Sequence, residues 1–314
     1  MKRIFDKGTV SRDWFGIGSF LPGPRFTRES GRLFLLEAVG STNAFLRGKG
    51  EPAQGRLCSW DGWGWKAQER TLLHPVPEAK PGTVVVARRQ TAGQGRQGRK
   101  WVDCGGLHLS VVVPTHRASF DRGFSVWVGL LTVLVLREEF KVDARLKWPN
   151  DIVCGDRKLG GILLEKTGSG AAMIVVAGLG LNLTARRGDF PAALQETATS
   201  ILEETGRPLG RGEIAGRLLS RVENELDVFK ASGWAPYRPA LSHLDCLLGR
   251  EVTLAAGGTE HTGRAVGIDE AGRLQLAAPS GAILSFHAGD VHLGPLRDGA
   301  PAPDHGPGDP EVLP

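Results

Sequence analysis

Short apolar runs separated by glycine, proline and polar residues dominate the first 250 or so positions of the chain. Runs of this length, rich in valine, leucine and isoleucine, are typical of buried strands. They predict strands over residues 33–38, 83–87, 107–113, 145–148, 152–154, 158–166 and 173–182. Gly155 and Asp156 lie between the runs over 152–154 and 158–166, and this pair favours a hairpin turn. A sheet built from these strands is the centre of the predicted fold.

Two longer segments carry a helical pattern. Residues 124–140 are apolar on almost every side, so we expect a buried helix there. Residues 211–229 place their apolar side chains on one face, which predicts an amphipathic helix. A short helix is expected to begin after Ser41, Thr42 and Asn43, whose side chains suit an N-cap. The combination indicates an α+β fold, with a mixed β-sheet flanked by helices.

The pattern divides the chain into four parts. Residues 33–246 form the main domain, although the tryptophan-rich stretch over 48–81 is expected to be irregular. Residues 247–297 consist of short runs at regular spacing, which predict a small C-terminal β-barrel. The tail over 298–314 is rich in proline and predicted to be disordered. Residues 1–32 are rich in glycine, proline, arginine and aromatic residues, and are expected to form an extended arm.

Composition narrows the class of protein. Of the 314 residues, 41% are hydrophobic and 23% are charged, as in an ordinary globular protein. The formal net charge of +5 indicates an anionic ligand or partner. The four cysteines are scattered, which argues against a zinc site or a disulfide framework and favours the cytoplasm. The longest apolar run, 126–136, is too short to cross a membrane. Glycines and prolines interrupt residues 16–24, so we expect no helix-turn-helix there. We therefore expect no DNA partner.

A glycine-rich, cationic loop follows the strand predicted over 83–87. It carries, in order, Gln90, Gly93, Gln94, Gly95, Arg96, Gly98, Arg99, Lys100 and Trp101. The glycines allow the backbone to approach a ligand closely, and arginine is the side chain that best matches a phosphate group. The spacing fits neither a P-loop nor a dinucleotide fingerprint. We therefore expect the loop to hold a phosphate or an acyl-phosphate anhydride.

A second cluster lies in the sequence Lys-Trp-Pro-Asn-Asp, residues 147–151. A turn alone would explain Pro-Asn-Asp. The other interpretation is that Asn150 and Asp151 hold a Mg²⁺–triphosphate while Lys147 offsets phosphate charge, because Mg²⁺ needs only one or two carboxylates beside phosphate oxygens. Lys158 is either a solvated hairpin lysine or a side chain placed to meet a carboxylate.

These pieces, together with Ser41-Thr42-Asn43 upstream and Ala177 to Leu183 downstream, occur in an order that resembles biotin protein ligases. The resemblance covers roughly residues 33–295 and is to the monofunctional type without a DNA-binding domain. It implies a class II synthetase-like catalytic domain, as in biotin and lipoate ligases, followed by a small β-barrel. It also implies that biotin and ATP form biotinyl-5'-AMP, from which biotin passes to a lysine of a biotin carboxyl carrier protein.

The resemblance assigns a role to individual residues. It implies catalytic roles for Lys158, Arg96 and Lys147. It implies biotin contacts for Ser41, Thr42, Asn43, Gln90, Gln94, Gly95, Arg96, Lys158, Gly161, Leu163, Gly178 and Gly180. It implies ATP or adenylate contacts for Arg96, Arg99, Trp101, Lys147, Asn150, Asp151 and Asn182, with Asp151 also the Mg²⁺ ligand. Gln94 is a departure, because the family often has arginine there.

Two other functions are open at the level of sequence. A lipoate or octanoate ligase would share the architecture, but the polar set that includes Ser41, Thr42 and Gln90 suits a urea better than a plain acyl chain. A biotin-sensing nucleic-acid binder would use the basic loop on phosphate, and it is disfavoured because the arm lacks a DNA-binding pattern. The partners implied are the carrier protein, biotin and ATP, with no membrane; a homodimer is left open.

Overall fold

The computed structural model describes residues 13–28, 32–113, 123–168 and 173–293. The predicted tail over 298–314 lies outside the described residues, as do the first 12 residues of the predicted arm. Within the described part, no helix is both long and apolar enough to span a bilayer.

Among the described residues, a ten-stranded sheet forms the main domain, and its order is β3-β2-β1-β5-β6-β10-β9-β8-β7, with β4 paired to β2. Strands β1 and β5 are parallel, and the other neighbouring strands are antiparallel. The sheet is therefore mixed, as the sequence predicted. Its strands are β1 (Leu33–Leu36), β2 (Ala53–Trp60), β3 (Trp65–Ala67), β4 (Thr71–Leu73), β5 (Val84–Ala87), β6 (Gly106–Val113), β7 (Ala144–Lys147), β8 (Asp151–Cys154), β9 (Arg157–Thr167) and β10 (Ile174–Asn182).

The expectation of an irregular segment over 48–81 is wrong, because β2, β3 and β4 lie there. Strand β2 pairs with the whole of β1, and Leu36 lies opposite Gly55. A Cβ atom at Gly55 would lie 2.4 Å from the carbonyl oxygen of Leu35, so glycine lets the strands meet. Arginine, glutamine and glycine interrupt the apolar pattern of β2, which faces solvent over part of its length. The pattern therefore gave no clear strand signal.

In the part of the chain that the structure describes, five α-helices accompany the sheet: α1 (Thr42–Leu46), α2 (Phe124–Glu138), α3 (Ile201–Thr205), α4 (Arg211–Ser232) and α5 (Arg238–Leu244). The side chain of Ser41 caps α1, where it accepts a hydrogen bond from the N–H of Ala44. Helix α2 is buried over most of its length, as its all-round apolar pattern predicted. It packs on α4, where Trp127 stacks on Phe229 with ring centroids 4.4 Å apart.

The two faces of the sheet bury different helices. On one face, Leu107, Leu109 and Val111 of β6 join α2 and α4 in the main core. On the other face, Val112 of β6 and Val176 of β10 pack with Phe45 and Leu46 of α1. Successive residues of a strand point to opposite faces. The positions between the core residues of β6, β9 and β10 therefore face α1.

Residues 13–28 pack against the main domain. They form two short helical turns rather than an extended arm. Phe15, Phe20 and Phe26 are buried in the main core. The N–H of Arg25 donates to Glu223 of α4 at 2.9 Å, and that of Phe26 to the same carboxylate at 3.3 Å. Burial of three aromatic rings makes this segment part of the fold.

The C-terminal unit is a five-stranded antiparallel sheet in the order β14-β13-β12-β11-β15. It is open rather than a closed barrel, because the edge strands β14 and β15 do not pair with each other among the described residues. The indole N–H of Trp148 donates to the carbonyl of Gly272 at 2.9 Å and links this sheet to the main domain. Its strands are β11 (Glu251–Ala256), β12 (Thr259–Ile268), β13 (Leu274–Ala277), β14 (Ile283–Phe286) and β15 (Asp290–Leu293).

Candidate active site

A cavity of about 590 Å³ lies on the α1 face of the main sheet. Every residue that the sequence analysis named for catalysis, biotin binding or nucleotide binding lines it. Strand alternation explains much of this. Leu179 and Leu181 of β10 enter the main core, so Gly178, Gly180 and Asn182 face the opposite way. The structure therefore brings the predicted residues together from four separate parts of the chain.

Two glycines of β10 leave space that other side chains fill. A Cβ atom at Gly178 would lie 2.3 Å from Oδ1 of Asn43, and one at Gly180 would lie 2.9 Å from the ring of Trp101. Neither glycine has a positive φ, so space rather than backbone conformation requires glycine here. The sequence left open whether these were strand-bulge glycines. The ladder runs without a bulge through both positions.

Hydroxyl and amide groups form one wall of the cavity. Oε1 of Gln90 accepts a hydrogen bond from the N–H of Thr42 at 2.8 Å, and it lies 3.1 Å from Oγ1 of Thr42. The Nδ2 group of Asn43 donates to the carbonyl of Leu163 at 3.2 Å. Behind them, Ser110 of β6 is fully buried. Ser110 was missed in the sequence because a single serine in an apolar strand carries no signal.

A largely buried acid supports the same wall. Asp103 accepts hydrogen bonds from the N–H of Gln90 and from that of Gly105, both at 2.9 Å, and lies 3.0 Å from Nε2 of His108. Burial opposes ionisation of Asp103. The contacts with His108 and with the two N–H groups outweigh burial and hold the pKa of Asp103 well below its usual range. Asp103 thus fixes the backbone at Gln90.

The glycine loop folds back on itself over the cavity. The N–H of Gly95 donates to the carbonyl of Arg99 at 2.7 Å, and Gln94 pairs with Lys100. Gln97 and Gly98 both have positive φ, at 55° and 72°, so the loop turns sharply between its arginines. The small side chains and tight turn hold Arg96 and Arg99 on the same loop at the cavity.

Arg96 is partly buried and points to the second motif. Its Nη1 group donates to Oδ1 of Asn150 at 3.3 Å. Burial lowers the pKa of Arg96, while Asp290 and Asp151 act in the opposite direction. Arginine stays charged under these conditions. A buried cation of this kind stabilises an anionic ligand more strongly than a solvated one.

Strands β7, β8 and β9 supply Lys147, Asp151 and Lys158. Nζ of Lys158 lies 2.6 Å from Oδ1 of Asp151. The backbone of Lys158 is fixed by the N–H of Thr199 and the carbonyl of Thr197, at 2.9 and 2.7 Å. Lys147 lies opposite Asp151 in the β7–β8 ladder. Lys158 therefore has a fixed backbone and a side chain that is paired with Asp151.

Asn150 and Asn182 have structural contacts in addition to their place in the cavity. Nδ2 of Asn150 donates to the carbonyl of Ile162 at 2.7 Å, and Nδ2 of Asn182 donates to that of Thr199 at 2.9 Å. These bonds use the amide N–H groups and leave the amide oxygens as acceptors. Both asparagines therefore brace the cavity wall whatever they bind.

Two parts of the wall were missed in the sequence. Phe190, Leu194 and Ala198 form a small apolar cluster that lines the cavity. Asp290 and His292 of β15 line it from the C-terminal sheet, and Asp290 forms an ion pair with Arg99 of the glycine loop. Neither part has a local sequence pattern, because the contacts join segments about 90 to 190 positions apart.

The described residues contain no group of three or more histidine, cysteine, aspartate or glutamate side chains placed to hold a metal. Mg²⁺ that arrives with a triphosphate needs only one or two protein carboxylates. Asp151 lines the cavity and provides one, although Lys158 already contacts one of its oxygens. The residues present therefore fit a nucleotide-borne Mg²⁺ but not a metal held by protein ligands alone.

Comparison with known proteins identifies the family. Residues 65–182 match the biotin/lipoate A/B protein ligase family, and residues 247–294 match the biotin protein ligase C-terminal domain. The bifunctional ligase/repressor BirA of Escherichia coli strain K12 is 36% identical over 226 residues, which cover 71% of this chain and 70% of that protein. The biotin–[acetyl-CoA-carboxylase] ligase of Paracoccus denitrificans is 33% identical over 208 residues, or 63% of this chain and 85% of that ligase.

A solved structure agrees with the sequence relatives. The biotin protein ligase of Aquifex aeolicus, determined in complex with biotin and ATP, is 27% identical and superimposes with a TM-score of 0.65. The match covers 83% of this chain and 98% of that one. With its cavity, its two matched domains and these relatives, the chain belongs to the biotin protein ligase family.

Proposed function

We infer that this chain is an ATP-dependent biotin protein ligase. It activates the carboxylate of biotin with ATP, which forms biotinyl-5'-AMP and releases pyrophosphate. The amine of an acceptor lysine then attacks the acyl carbon, and AMP leaves. The observation that carries this inference is that one cavity combines a wall of amide and hydroxyl groups with a cluster of lysine and arginine side chains.

The polar wall suits the ureido ring of biotin. A buried urea has two N–H donors and a carbonyl acceptor, and each needs a partner. The Nε2 group of Gln90 is a donor because its oxygen is taken by Thr42. The hydroxyl groups of Ser41 and Thr42 supply further donors and acceptors. A lipoyl or octanoyl chain has no groups that would satisfy them, so this wall favours biotin over the lipoate alternative.

The cations suit the anionic reaction centre. We propose that Lys158 stabilises the biotin carboxylate and the charge that develops on the α-phosphate during attack. Arg96, Arg99 and Lys147 would hold phosphate oxygens, and Trp101 would pack near the nucleotide. Asp151 and Asn150 would hold Mg²⁺, which supplies neutralisation of phosphate charge when it is bound. The glycine loop would keep water from the adenylate.

The acceptor is proposed to be a biotin carboxyl carrier domain, in line with the name of the Paracoccus relative. A cytoplasmic setting is proposed because the four cysteines are free and three of them are buried.

An ATP–pyrophosphate exchange assay tests the proposed function. Biotin should drive exchange of labelled pyrophosphate into ATP, whereas lipoate and octanoate should not. Addition of a carrier domain should then produce a mass increase on one lysine. Exchange driven by lipoate in preference to biotin would overturn the substrate. Failure of every acid to drive exchange, in protein that binds ATP by calorimetry, would overturn the reaction.

A further inference from the structure

His292 of β15 lies at the exposed end of the cavity. Its side chain is open to solvent, and it is the one histidine among the described residues that line the cavity. At the other end, Thr42 and Asn43 of the polar wall are only 4% and 3% exposed. A lysine on a second protein can enter only from the solvent side. It therefore enters past the exposed part of the lining, to which His292 belongs.

The alternation of β15 directs His292 towards the glycine loop. Val291 is buried in the main core, so Asp290 and His292 lie on the opposite face of the strand. Asp290 forms an ion pair with Arg99 of the loop on that face. His292 follows two residues later, with its Cα about 7 Å further along the strand. The imidazole is therefore beside the loop that is proposed to cover the adenylate.

The carboxylates of the cavity are already engaged, whereas His292 is not. Each of the three carboxylates that line the cavity contacts a lysine or an arginine, in the pairs Asp151–Lys158, Asp156–Arg250 and Asp290–Arg99. Within the described residues, the side chain of His292 has neither an ion pair nor a hydrogen bond. Its ring nitrogens are therefore available to a ligand or to the acceptor.

The C-terminal sheet places charges of both signs near His292. Thr253 of β11 lies directly opposite His292, and Glu251 is two residues away on the same face. Arg264 of β12 lies 3.8 Å from Glu251. Together with the pairing of Asp290, this means that each acid near His292 on that face is matched by an arginine.

The transfer step of the proposed reaction needs a base. An unperturbed lysine has a pKa of about 10.4, so fewer than about one amine in a thousand is uncharged at pH 7. The cavity adds to this cost, because its four arginine and lysine side chains, Arg96, Arg99, Lys147 and Lys158, repel an ammonium ion. Imidazole is the side chain that exchanges a proton most readily near neutral pH. Removal of the proton at the entrance would therefore favour both entry and attack.

We propose that His292 is the general base of the transfer step, an inference that rests on the proposed function. The imidazole takes one proton from the ammonium group, and the nitrogen attacks the acyl carbon of biotinyl-5'-AMP. As the C–N bond forms, the bond between the acyl carbon and the phosphate oxygen breaks, and AMP leaves with that electron pair. A second proton passes from the nitrogen to the departing phosphate. His292 is exposed, so it returns its own proton to water.

The test separates the two half-reactions in His292→Gln. Biotin-dependent pyrophosphate exchange should stay within about twofold of the wild-type rate, because formation of the adenylate involves no amine. Transfer from preformed adenylate to the carrier lysine should be about a hundredfold slower at saturating carrier. Hydroxylamine, which is largely uncharged at pH 7, should react with the adenylate equally fast in both proteins. The difference for lysine should narrow as the pH rises, since water then removes the proton.

Two further variants make the result decisive. His287→Gln is the matched control, because His287 is exposed just before β15 but does not line the cavity, and it should leave both half-reactions unchanged. In His292→Ala, added imidazole should restore transfer to the carrier, which it could not do after a merely structural loss. A slowing of less than about tenfold in both His292 variants would overturn the inference, as would equal slowing with lysine and with hydroxylamine. A wild type in which biotin drives no exchange would instead overturn the proposed function.

Discussion

Nζ of Lys158 lies 2.6 Å from Oδ1 of Asp151, so the amine proposed to grip a ligand carboxylate is already paired with a carboxylate of the protein. The pair is 41% and 28% exposed and therefore contributes little to stability. An incoming biotin carboxylate can compete with Asp151 for the lysine. Once displaced, Asp151 is released next to the proposed site of Mg²⁺–ATP. The pairing thus links the two proposed substrate sites.

Loss of the lysine charge should remove activity but not stability. We expect Lys158→Met to lower biotin-dependent pyrophosphate exchange by about a hundredfold or more, because the developing charge loses its main cation. The free energy of unfolding should change by less than about 1 kcal/mol. Lys66→Met is the matched control, since Lys66 pairs with Asp61 at 2.9 Å on the β3 side of the sheet. Exchange above a tenth of the wild-type rate would contradict the role of Lys158.

Removal of the Arg96 side chain should release the intermediate. Arg96 is the partly buried cation of the glycine loop, in contact with Asn150. We expect Arg96→Gly to form adenylate but to lose it, so that biotin labels lysines of bystander proteins. Streptavidin blots of a mixture of carrier and serum albumin would show this. Arg88→Gly is the control, because Arg88 is exposed and pairs with Glu37 outside the cavity. Labelling confined to the carrier would show that Arg96 does not retain the adenylate.

A methyl group on β10 should damage the biotin pocket. In Gly178→Ala, the new Cβ would lie 2.3 Å from Oδ1 of Asn43, so the asparagine must move. We expect a loss of biotin affinity of about tenfold or more and a decrease of roughly 1–3 kcal/mol in the free energy of unfolding. Gly64→Ala is the control, since no atom lies within 4 Å of a Cβ there. Calorimetry with biotin and thermal unfolding measure the two effects.

Asp245 should make stability depend on pH. Burial raises the pKa of Asp245 from 3.8 to about 6, against the hydrogen bond from the N–H of Leu247. Between these two values the folded state binds the proton more tightly than the unfolded state does. The free energy of unfolding therefore falls as pH rises through this window, and the full loss is present above about pH 6.

The variant Asp245→Asn keeps an acceptor for Leu247 but cannot titrate. Its free energy of unfolding should not show the fall with pH that Asp245 causes in the wild type. At pH 7, the free energy of unfolding of the variant should exceed that of the wild type by up to roughly 3 kcal/mol. The two proteins should have similar stability near pH 4. Urea unfolding at a series of pH values would measure the difference. Parallel profiles for the two proteins would show that Asp245 does not carry the dependence.

The sequence predicted the strands whose residues are apolar on both faces and the site residues that lie in compact motifs. Strand β10 and helix α2 are examples, because their apolar runs leave few alternatives. The same holds for Lys158 and Asp151, which are close in sequence and meet across one hairpin. In these cases the residues close in sequence are enough to predict the element or the contact.

The features that the sequence did not reveal depend on distant contacts. The pairing of Asp290 with Arg99 joins the C-terminal sheet to the glycine loop, and nothing near either residue indicates it. Ser110 appears in sequence as a polar interruption of an apolar strand, yet it lies against Thr42 and Asn43. Strand β2 is recognisable only through its partner β1. These three features can be recognised only once the tertiary fold is known.

The packing of residues 13–28 determines where the enzyme can be shortened. The family match begins only at residue 65, and the four motifs begin at residue 41. A truncated protein that started at Leu33 would nevertheless leave empty the places of Phe15, Phe20 and Phe26 beside α4. Its exposed apolar surface would promote aggregation. Expression of a minimal ligase should therefore retain these three phenylalanines.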